Sequence, residues 1–169
     1  EIHLGEAPGR GPRRSSMRLP PPSQTPSLPH LTLAQEAASC GATQRALAHV
    51  DRALIDGMVE DFGMDGTLEW YHKILKLGRR AGGPGATQLI IDHMIQAEIT
   101  PDSVAAHLAA ADAAHRGQIQ HGLNLLAACG AAGAELSTGS FDALIHAAGK
   151  AQDRRGAIAS YRALRRRRL

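Results

Sequence analysis

The strongest constraint on the fold is an internal repeat of 35 residues that runs through the last two-thirds of the chain. Similar residues recur at this spacing in four apolar columns and one turn column. The apolar columns are Tyr71/Ala106/Phe141, Ile74/Ala109/Leu144, Ile91/Leu126/Tyr161 and Met94/Cys129/Leu164, and the turn column is Gly82/Gly117/Gln152. Periods of this length are typical of stacked supersecondary units. We therefore predict an all-α solenoid of stacked helical hairpins, whose elongated face holds an RNA strand or another protein.

Three helical hairpins account for the repeated region, with repeat boundaries at residues 68–102, 103–137 and 138–169. Pro101 interrupts helix between the first two repeats, and Gly133 is expected to cap the fourth of the six helices. The predicted pairs are Leu68–Arg80 with Ala86–Gln96 through Gly82–Gly85, Ser103–His115 with Gln118–Ala131 through Gly117, and Ser140–Lys150 with Arg154–Arg167.

Residues 32–67 are predicted to be a degenerate helical repeat or an N-terminal cap. The pattern indicates helix over residues 33–62 with a break near Cys40-Gly41. Thr43 is expected to cap a second helix over Gln44–Asp61, because threonine hydroxyls accept hydrogen bonds from the first turn of a helix. The glycine-rich stretch over residues 62–66 is predicted to be the following turn.

Residues 1–31 hold seven of the nine prolines and are predicted to form an extended arm. Such an arm has too little apolar surface to offset the conformational entropy lost on ordering, so we expect it to lie on a partner. The N-terminus contains arginine and serine and few acids, which is similar to the remnant of an organelle transit peptide. Pro-rich disordered arms share this composition.

The charge is unevenly distributed along the chain. Residues 1–31 carry 4 − 2 = +2, residues 32–147 carry 7 − 13 = −6, and residues 148–169 carry 8 − 1 = +7. Basic ends suit phosphate backbones or acidic protein surfaces, although terminal arginines also keep a helix end soluble. The candidate RNA-backbone contacts in these ends are Arg10, Arg13, Arg14, Arg18, Arg165, Arg166, Arg167 and Arg168.

The residue types that could support catalysis or metal binding do not occur in the spacings that either needs. Cys40 and Cys129 form neither a metal spacing nor a disulfide framework, which fits a reducing compartment. The glycine-rich Gly82–Gly85 lacks the Lys-Ser/Thr of a phosphate loop, and Ser140 has no nucleophile context. We expect no catalysis, metal, cofactor or small-molecule substrate. No apolar run approaches the roughly 18 residues of a membrane span.

Three stretches resemble pentatricopeptide repeats, a family whose units are 35 residues long. The first stretch combines His107-Leu108, Ala114–Ile119 and Gly122–Leu126. The second is Ser140–Ala151, and the third is Met94–Asp102. The resemblance covers roughly residues 68–169. It implies a solenoid of helical hairpins located in a mitochondrion or chloroplast, and many members of the family bind single-stranded RNA, one base per repeat.

In that family, base selection uses the fifth and the last residue of each repeat. The resemblance places His72, His107 and Asp142 at the fifth positions, and Asp102 and Ser137 at the last positions. The family normally has Asn, Thr or Ser at position five, so this chain departs from the pattern. The departure favours RNA contacts without base selection.

The resemblance also points to a basic column. Arg80, His115 and Lys150 share one position near the ends of the first helices, where the family often places a basic residue that faces the RNA. Cations about one repeat apart would follow a phosphate backbone. The alternative is that these cations stabilise the negative end of the helix dipole.

Together these features predict a non-catalytic structural subunit of an organellar ribonucleoprotein, most simply a mitochondrial ribosome. The solenoid would contact other protein subunits, and the basic ends would contact RNA backbone. Three repeats are few, because each base contributes roughly 1–3 kcal/mol. One alternative is a protein scaffold of a large organellar complex, free or membrane-associated, without RNA. Another is a truncated organellar RNA-processing factor.

Overall fold

In the computed structural model, residues 27–167 are described, and within them the chain forms eight helices and no strand. The helices are α1 (Leu28–Ser39), α2 (Thr43–Ile55), α3 (Met58–Ala81), α4 (Ala86–Gln96), α5 (Ser103–His115), α6 (Ile119–Ala131), α7 (Thr138–Lys150) and α8 (Arg154–Arg166). The predicted all-α class is confirmed. None of these helices combines the length and apolar character that a membrane crossing requires.

The predicted arm is four residues too long at its C-terminal end. Helix α1 already begins at Leu28, and the buried Ser27 precedes it with its hydroxyl donating to Asp61 Oδ2 at 2.7 Å. Pro29 lies in the first turn, where a backbone N–H has no helical partner, so proline does not oppose the helix there. The rest of the predicted arm, residues 1–26, lies outside the described residues.

The prediction of one helix over Gln44–Asp61 is wrong, because the structure divides this range between two helices. Helix α2 ends at Ile55, and Gly57 adopts a left-handed φ of 91° between α2 and α3. Thr43 does not cap α2 either, because it is the first helical residue and its side chain makes no capping hydrogen bond.

Helix α3 also begins earlier than predicted. The expected turn over residues 62–66 is reduced to a kink at Gly63, where φ is 69° and ψ is 175°. The first predicted hairpin helix, Leu68–Arg80, is therefore the C-terminal part of a longer element. The boundary drawn between residues 67 and 68 falls inside that helix.

Helices α4 to α8 lie where the sequence predicts them, within two residues at each end. Asp102 is the residue before α5, and its carboxylate accepts from Ala105 N at 2.8 Å, which caps the helix that follows Pro101. Gly133 lies two residues after the end of α6 and has a left-handed φ of 97°, which is the conformation of a glycine cap.

The backbone repeats its unusual conformations at the same 35-residue interval as the sequence. Glu98 and Gly133 are 35 residues apart, and both have positive φ, 57° and 97°. Gly117 and Gln152 are another such pair, with φ of 69° and 54°. Glutamate and glutamine seldom adopt this conformation, so the surrounding helices impose it.

The apolar columns form one continuous core. Within the described residues, the first two columns are buried in all three units, and the other two are buried in α4 and α6. In α8 the pattern ends, because Tyr161 is 53% exposed. Helix α4 packs against α5 and α6, and α6 packs against α7 and α8.

Candidate nucleic-acid interface

The C-terminal part of α3 carries a dense group of cations. Lys73, Lys76, Arg79 and Arg80 are all exposed, against the single acid Glu69 from residue 68 onward. Lys73, Lys76 and Arg80 are spaced by three and four residues, which places them on one face of a helix. The helix ends directly after them, where Gly82 N donates to Gly78 O at 2.7 Å. The cations therefore lie at the end of α3 where its dipole favours positive charge.

A hollow of about 510 Å³ lies between α3 and α5. Its cationic wall comes from the end of α3, and its opposite wall comes from α5. The lining residues are Lys76, Arg79, Arg80, Leu108, Asp112 and His115. The structure therefore brings Arg80 and His115, predicted from the 35-residue spacing, into one concave surface.

A second hollow of about 530 Å³ lies between α5 and α7. Alanines from both helices form its floor, and His115, His146 and Lys150 lie among its lining side chains. His115 lines both hollows, so the two adjoin along the face made by α3, α5 and α7. The column Arg80, His115 and Lys150 thus follows one line of depressions.

The carboxylate in the first hollow is already occupied. Asp112 is 5% exposed and accepts from Thr87 Oγ1 at 2.7 Å and from Arg116 Nε at 3.1 Å. Arg116 also donates through its guanidinium to Gly82 O at 3.3 Å. Among the described residues that line this hollow, Asp112 is the only acid, and its charge is offset by Arg116. The accessible charge of the hollow is therefore positive.

Two of the five residues predicted to select bases are hydrogen-bonded to each other. His72 Nε2 and Asp102 Oδ1 are 2.8 Å apart, and the same oxygen of Asp102 caps α5. The His72 side chain is only 16% exposed, so this pair has little freedom to contact a base edge. The pairing joins α3 to the start of α5.

The other three base-selecting positions are exposed. Ser137 Oγ is 3.2 Å from Ser140 Oγ, so the Ser137 hydroxyl already has a hydrogen-bond partner within the protein. His107 and Asp142 lie on α5 and α7 and face solvent. Asp142 is negatively charged and would repel a phosphate.

The terminal arginines are only partly described. Arg165 and Arg166 are exposed on the last turn of α8, and the guanidinium of Arg167 folds back over Gly130 on α6. Arg168 lies outside the described residues, as do the four arginines predicted in the arm, Arg10, Arg13, Arg14 and Arg18.

A carboxylate–imidazole–hydroxyl relay joins three helices, and sequence reasoning did not find it. Asp51 Oδ1 is 2.8 Å from His93 Nε2, and His93 Nδ1 is 2.8 Å from the hydroxyl of Tyr71. Burial first, and then the charge of Asp51, raise the pKa of Tyr71. Tyr71 is fully buried, so its hydroxyl cannot contact a substrate. The three side chains instead link α2, α3 and α4. The partners are 22 and 42 residues apart, and no local motif marks them.

Between residues 27 and 167, no cluster of three or more His, Cys, Asp or Glu side chains has the geometry of a metal site. His93 and His72 serve instead as links between helices. His30 stacks on His49 with ring centroids 6.1 Å apart, and its Nε2 is 3.4 Å from Asp56.

Comparison with known proteins adds no family assignment. No family model matches the chain. No curated protein and no solved structure shows significant similarity to it. The likeness to pentatricopeptide repeats therefore rests on the residues of this chain alone.

Proposed function

We propose that this chain is a non-catalytic, pentatricopeptide-like subunit of an organellar ribonucleoprotein and that it binds RNA by the phosphate backbone. A mitochondrial ribosome is the assembly that fits best. The observation that carries the proposal is the line of adjoining hollows shared by Arg80, His115 and Lys150. Basic residues about one repeat apart along a groove suit the regular charges of a nucleic-acid strand.

The repeat architecture in this proposal is a solenoid whose last three hairpins are α3–α4, α5–α6 and α7–α8. The buried columns and the paired positive φ angles, both spaced by 35 residues, support it. The packing of α5 against both α3 and α7 supports a row of first helices that share one face. The solenoid would also provide the surface that contacts other protein subunits.

Backbone binding without base selection follows from the same residues. His72 and Asp102 are bonded to each other, and Asp142 would repel phosphate, so base-by-base reading has few side chains to use. Contacts from lysine and arginine to phosphates release counterions, which makes the affinity fall with salt concentration. Such contacts position RNA but carry no sequence information.

Removing the two permanent cations of the groove tests the proposal. In the full chain, Arg80→Gln with Lys150→Gln should raise the Kd for a labelled single-stranded RNA about tenfold. The slope of log K against log salt should fall by about 1.4, which is two contacts at roughly 0.7 each. Fluorescence anisotropy at several salt concentrations measures both quantities.

The matched control removes two cations from α2, through Arg45→Gln with Arg52→Gln. Both side chains are exposed and line neither hollow. The control should leave RNA affinity near the wild-type value. Equal losses in the two double variants, or no RNA binding by the wild-type chain, would refute a groove-specific contact.

The terminal arginines supply a second RNA contact in this proposal. Replacing Arg165 to Arg168 by glutamine should weaken association by the same factor for RNAs of different sequence, because the contacts are to backbone. Unchanged association would remove these residues from the interface and leave the groove as the RNA contact.

A protein scaffold without RNA is the second candidate function. The net charge of −6 over residues 32–147 favours it, because an acidic body repels a nucleic acid outside the cationic groove. This candidate predicts that purified assemblies contain the chain but no RNA within crosslinking distance of Arg80 or Lys150.

A further inference from the structure

The side of α8 that faces away from α6 and α7 is a second unusual surface, here called the outer face. It consists of a central row and a flanking row of side chains. The central row is Arg154, Ile158, Tyr161 and Arg165, and the flanking row is Arg155, Arg162 and Arg166. The spacings of four, three and four residues place the central row in one line along the helix.

Two large apolar side chains lie in the middle of this outer face. Ile158 is 40% exposed and Tyr161 is 53% exposed. At the position of Tyr161 in the two preceding units, Ile91 and Leu126 are 0% and 1% exposed. In those units α4 packs against α5 and α6, and α6 packs against α7 and α8. The position that a protein helix buries twice is therefore open on α8.

The charge of the outer face defines what can cover it. All five of its charged residues are arginines, and α8 contains no acid. The nearest acid, Asp153, precedes the helix and uses its carboxylate to accept from Gly156 N at 2.9 Å. A covering element therefore needs an apolar centre with negative charges on either side of it.

We propose that the outer face of α8 binds an acidic amphipathic helix of a partner protein. The helix would present two apolar residues to Ile158 and Tyr161, with acidic residues one turn beyond them to meet Arg154 and Arg165. The peptide site lies apart from the RNA groove formed by α3, α5 and α7, but it shares Arg165 and Arg166 with the proposed second RNA contact, so the two ligands would compete there.

A helix fits this surface better than RNA or a lipid bilayer does. Isoleucine has neither a hydrogen-bonding atom nor an aromatic face, so Ile158 gains little from a nucleobase or a phosphate. Helices that bind membrane surfaces insert a broad apolar face, whereas this one has two large apolar side chains between arginines. Helix-in-groove recognition uses a few apolar anchors at helical spacing.

The direct test uses the full chain and a synthetic helical peptide with the pattern Glu-x3-Leu-x2-Leu-x3-Glu, labelled with fluorescein. Binding measured by anisotropy should weaken at least about tenfold in Ile158→Glu and in Tyr161→Glu. A peptide with lysine in place of both glutamates should not bind. The groove variant Arg80→Gln/Lys150→Gln should bind the acidic peptide normally, which separates this proposal from the RNA proposal.

Tyrosine modification gives an independent readout without mutation. The chain has two tyrosines, of which Tyr71 is buried and Tyr161 is exposed. Nitration should modify Tyr161 in the free chain, and the acidic peptide should protect it.

Four results would overturn the proposal. The acidic peptide does not bind, or it binds Ile158→Glu as well as the wild type. Single-stranded RNA or phosphatidylserine vesicles bind, and Tyr161→Glu abolishes that binding. Light scattering shows a dimer that Tyr161→Glu dissociates, which would identify a second copy as the occupant.

Discussion

At the scale of single residues, Ser160 is a polar side chain in an apolar column. Ile90 and Leu125 occupy the same position in the two preceding units, and both are buried. Ser160 is equally buried, and its hydroxyl has no hydrogen-bond partner among the described residues. Burying a hydroxyl without a partner costs about 1–3 kcal/mol.

Removing this hydroxyl should stabilise the protein. We expect Ser160→Ala to raise the free energy of unfolding by about 1 kcal/mol, because the unsatisfied group is lost. Ser140→Ala is the matched control, since Ser140 is also fully buried but lies 3.2 Å from Ser137 Oγ. That change should lower stability by about 0.5–1.5 kcal/mol. Urea unfolding at neutral pH measures both, and a loss of stability in Ser160→Ala would contradict the argument.

The two cysteines should differ in reactivity. Cys40 is exposed, whereas Cys129 is buried in the core and burial raises its pKa to about 11. Because the thiolate is the reactive form, a thiol reagent at pH 8 should modify one cysteine in the native chain and both in urea. Rapid modification of both native thiols would show that α6 is not packed as described.

The same thiol makes stability depend on pH in the alkaline range. The folded pKa lies above the ordinary value of 9.0, so the unfolded chain loses this proton first. The free energy of unfolding should therefore be unaffected by Cys129 below about pH 9 and should fall between about pH 9 and 11. Cys129→Ala should show a shallower decline over that range, and parallel curves for the two proteins would exclude this cause.

At the scale of helices, Gly122 sets how closely α6 approaches its neighbours. A Cβ at this position would lie 2.5 Å from Leu144 Cδ2 and 3.0 Å from Ala113 Cβ. Helices α5, α6 and α7 meet there, so the missing side chain permits the contact between adjacent hairpins. Leu144 and Ala113 belong to the continuous core and have little room to move.

Two glycine substitutions should therefore have opposite effects. Gly122→Ala should lower the free energy of unfolding by about 1–3 kcal/mol through overpacking. Gly149→Ala in α7 meets nothing within 4 Å, and it should raise stability by about 0.5–1 kcal/mol because alanine favours helix. Thermal and urea unfolding give both values, and a neutral Gly122→Ala would mean that α6 and α7 are further apart.

The sequence predicted some helices well and others poorly, for a physical reason. Helices α4 to α8 are separated by strong local signals, such as Pro101 and Gly133, and their limits were predicted within two residues. Around α2 and α3 the signals are several glycines, and a glycine either continues a helix or breaks it. Gly57 separates α2 from α3 and Gly63 kinks α3, while Gly66 remains helical. Directly after Gly57, Met58 is buried together with Leu31 and Ala53, a contact between distant residues that no local signal indicates.

Over the described chain as a whole, cover by neighbouring helices differs between α6 and α8. Helix α6 packs against α5, α7 and α8, whereas α8 packs against α6 and α7 and fully buries only Ser160. Local opening needs less free energy where fewer apolar contacts are lost.

Hydrogen exchange should reveal this difference. We expect the amides of α8 to exchange roughly tenfold faster or more than those of α6 at neutral pH, because α8 opens without disturbing the rest of the core. Mass spectrometry of proteolytic fragments resolves the two helices. Binding of the acidic peptide should slow exchange in α8, and equal protection of the two free helices would contradict the open outer face.

The helical class, the 35-residue columns and the places of Arg80, His115 and Lys150 near the ends of α3, α5 and α7 can be read from the sequence. Periodicity and helix-breaking residues are local features, so they can be recognised in the amino-acid sequence. The folded chain alone shows that Thr87 donates to Asp112, that His72 is held by Asp102, and that Tyr161 is uncovered. These contacts join residues that are distant in sequence, or depend on what packs beside a helix, and local spacing carries no information about either.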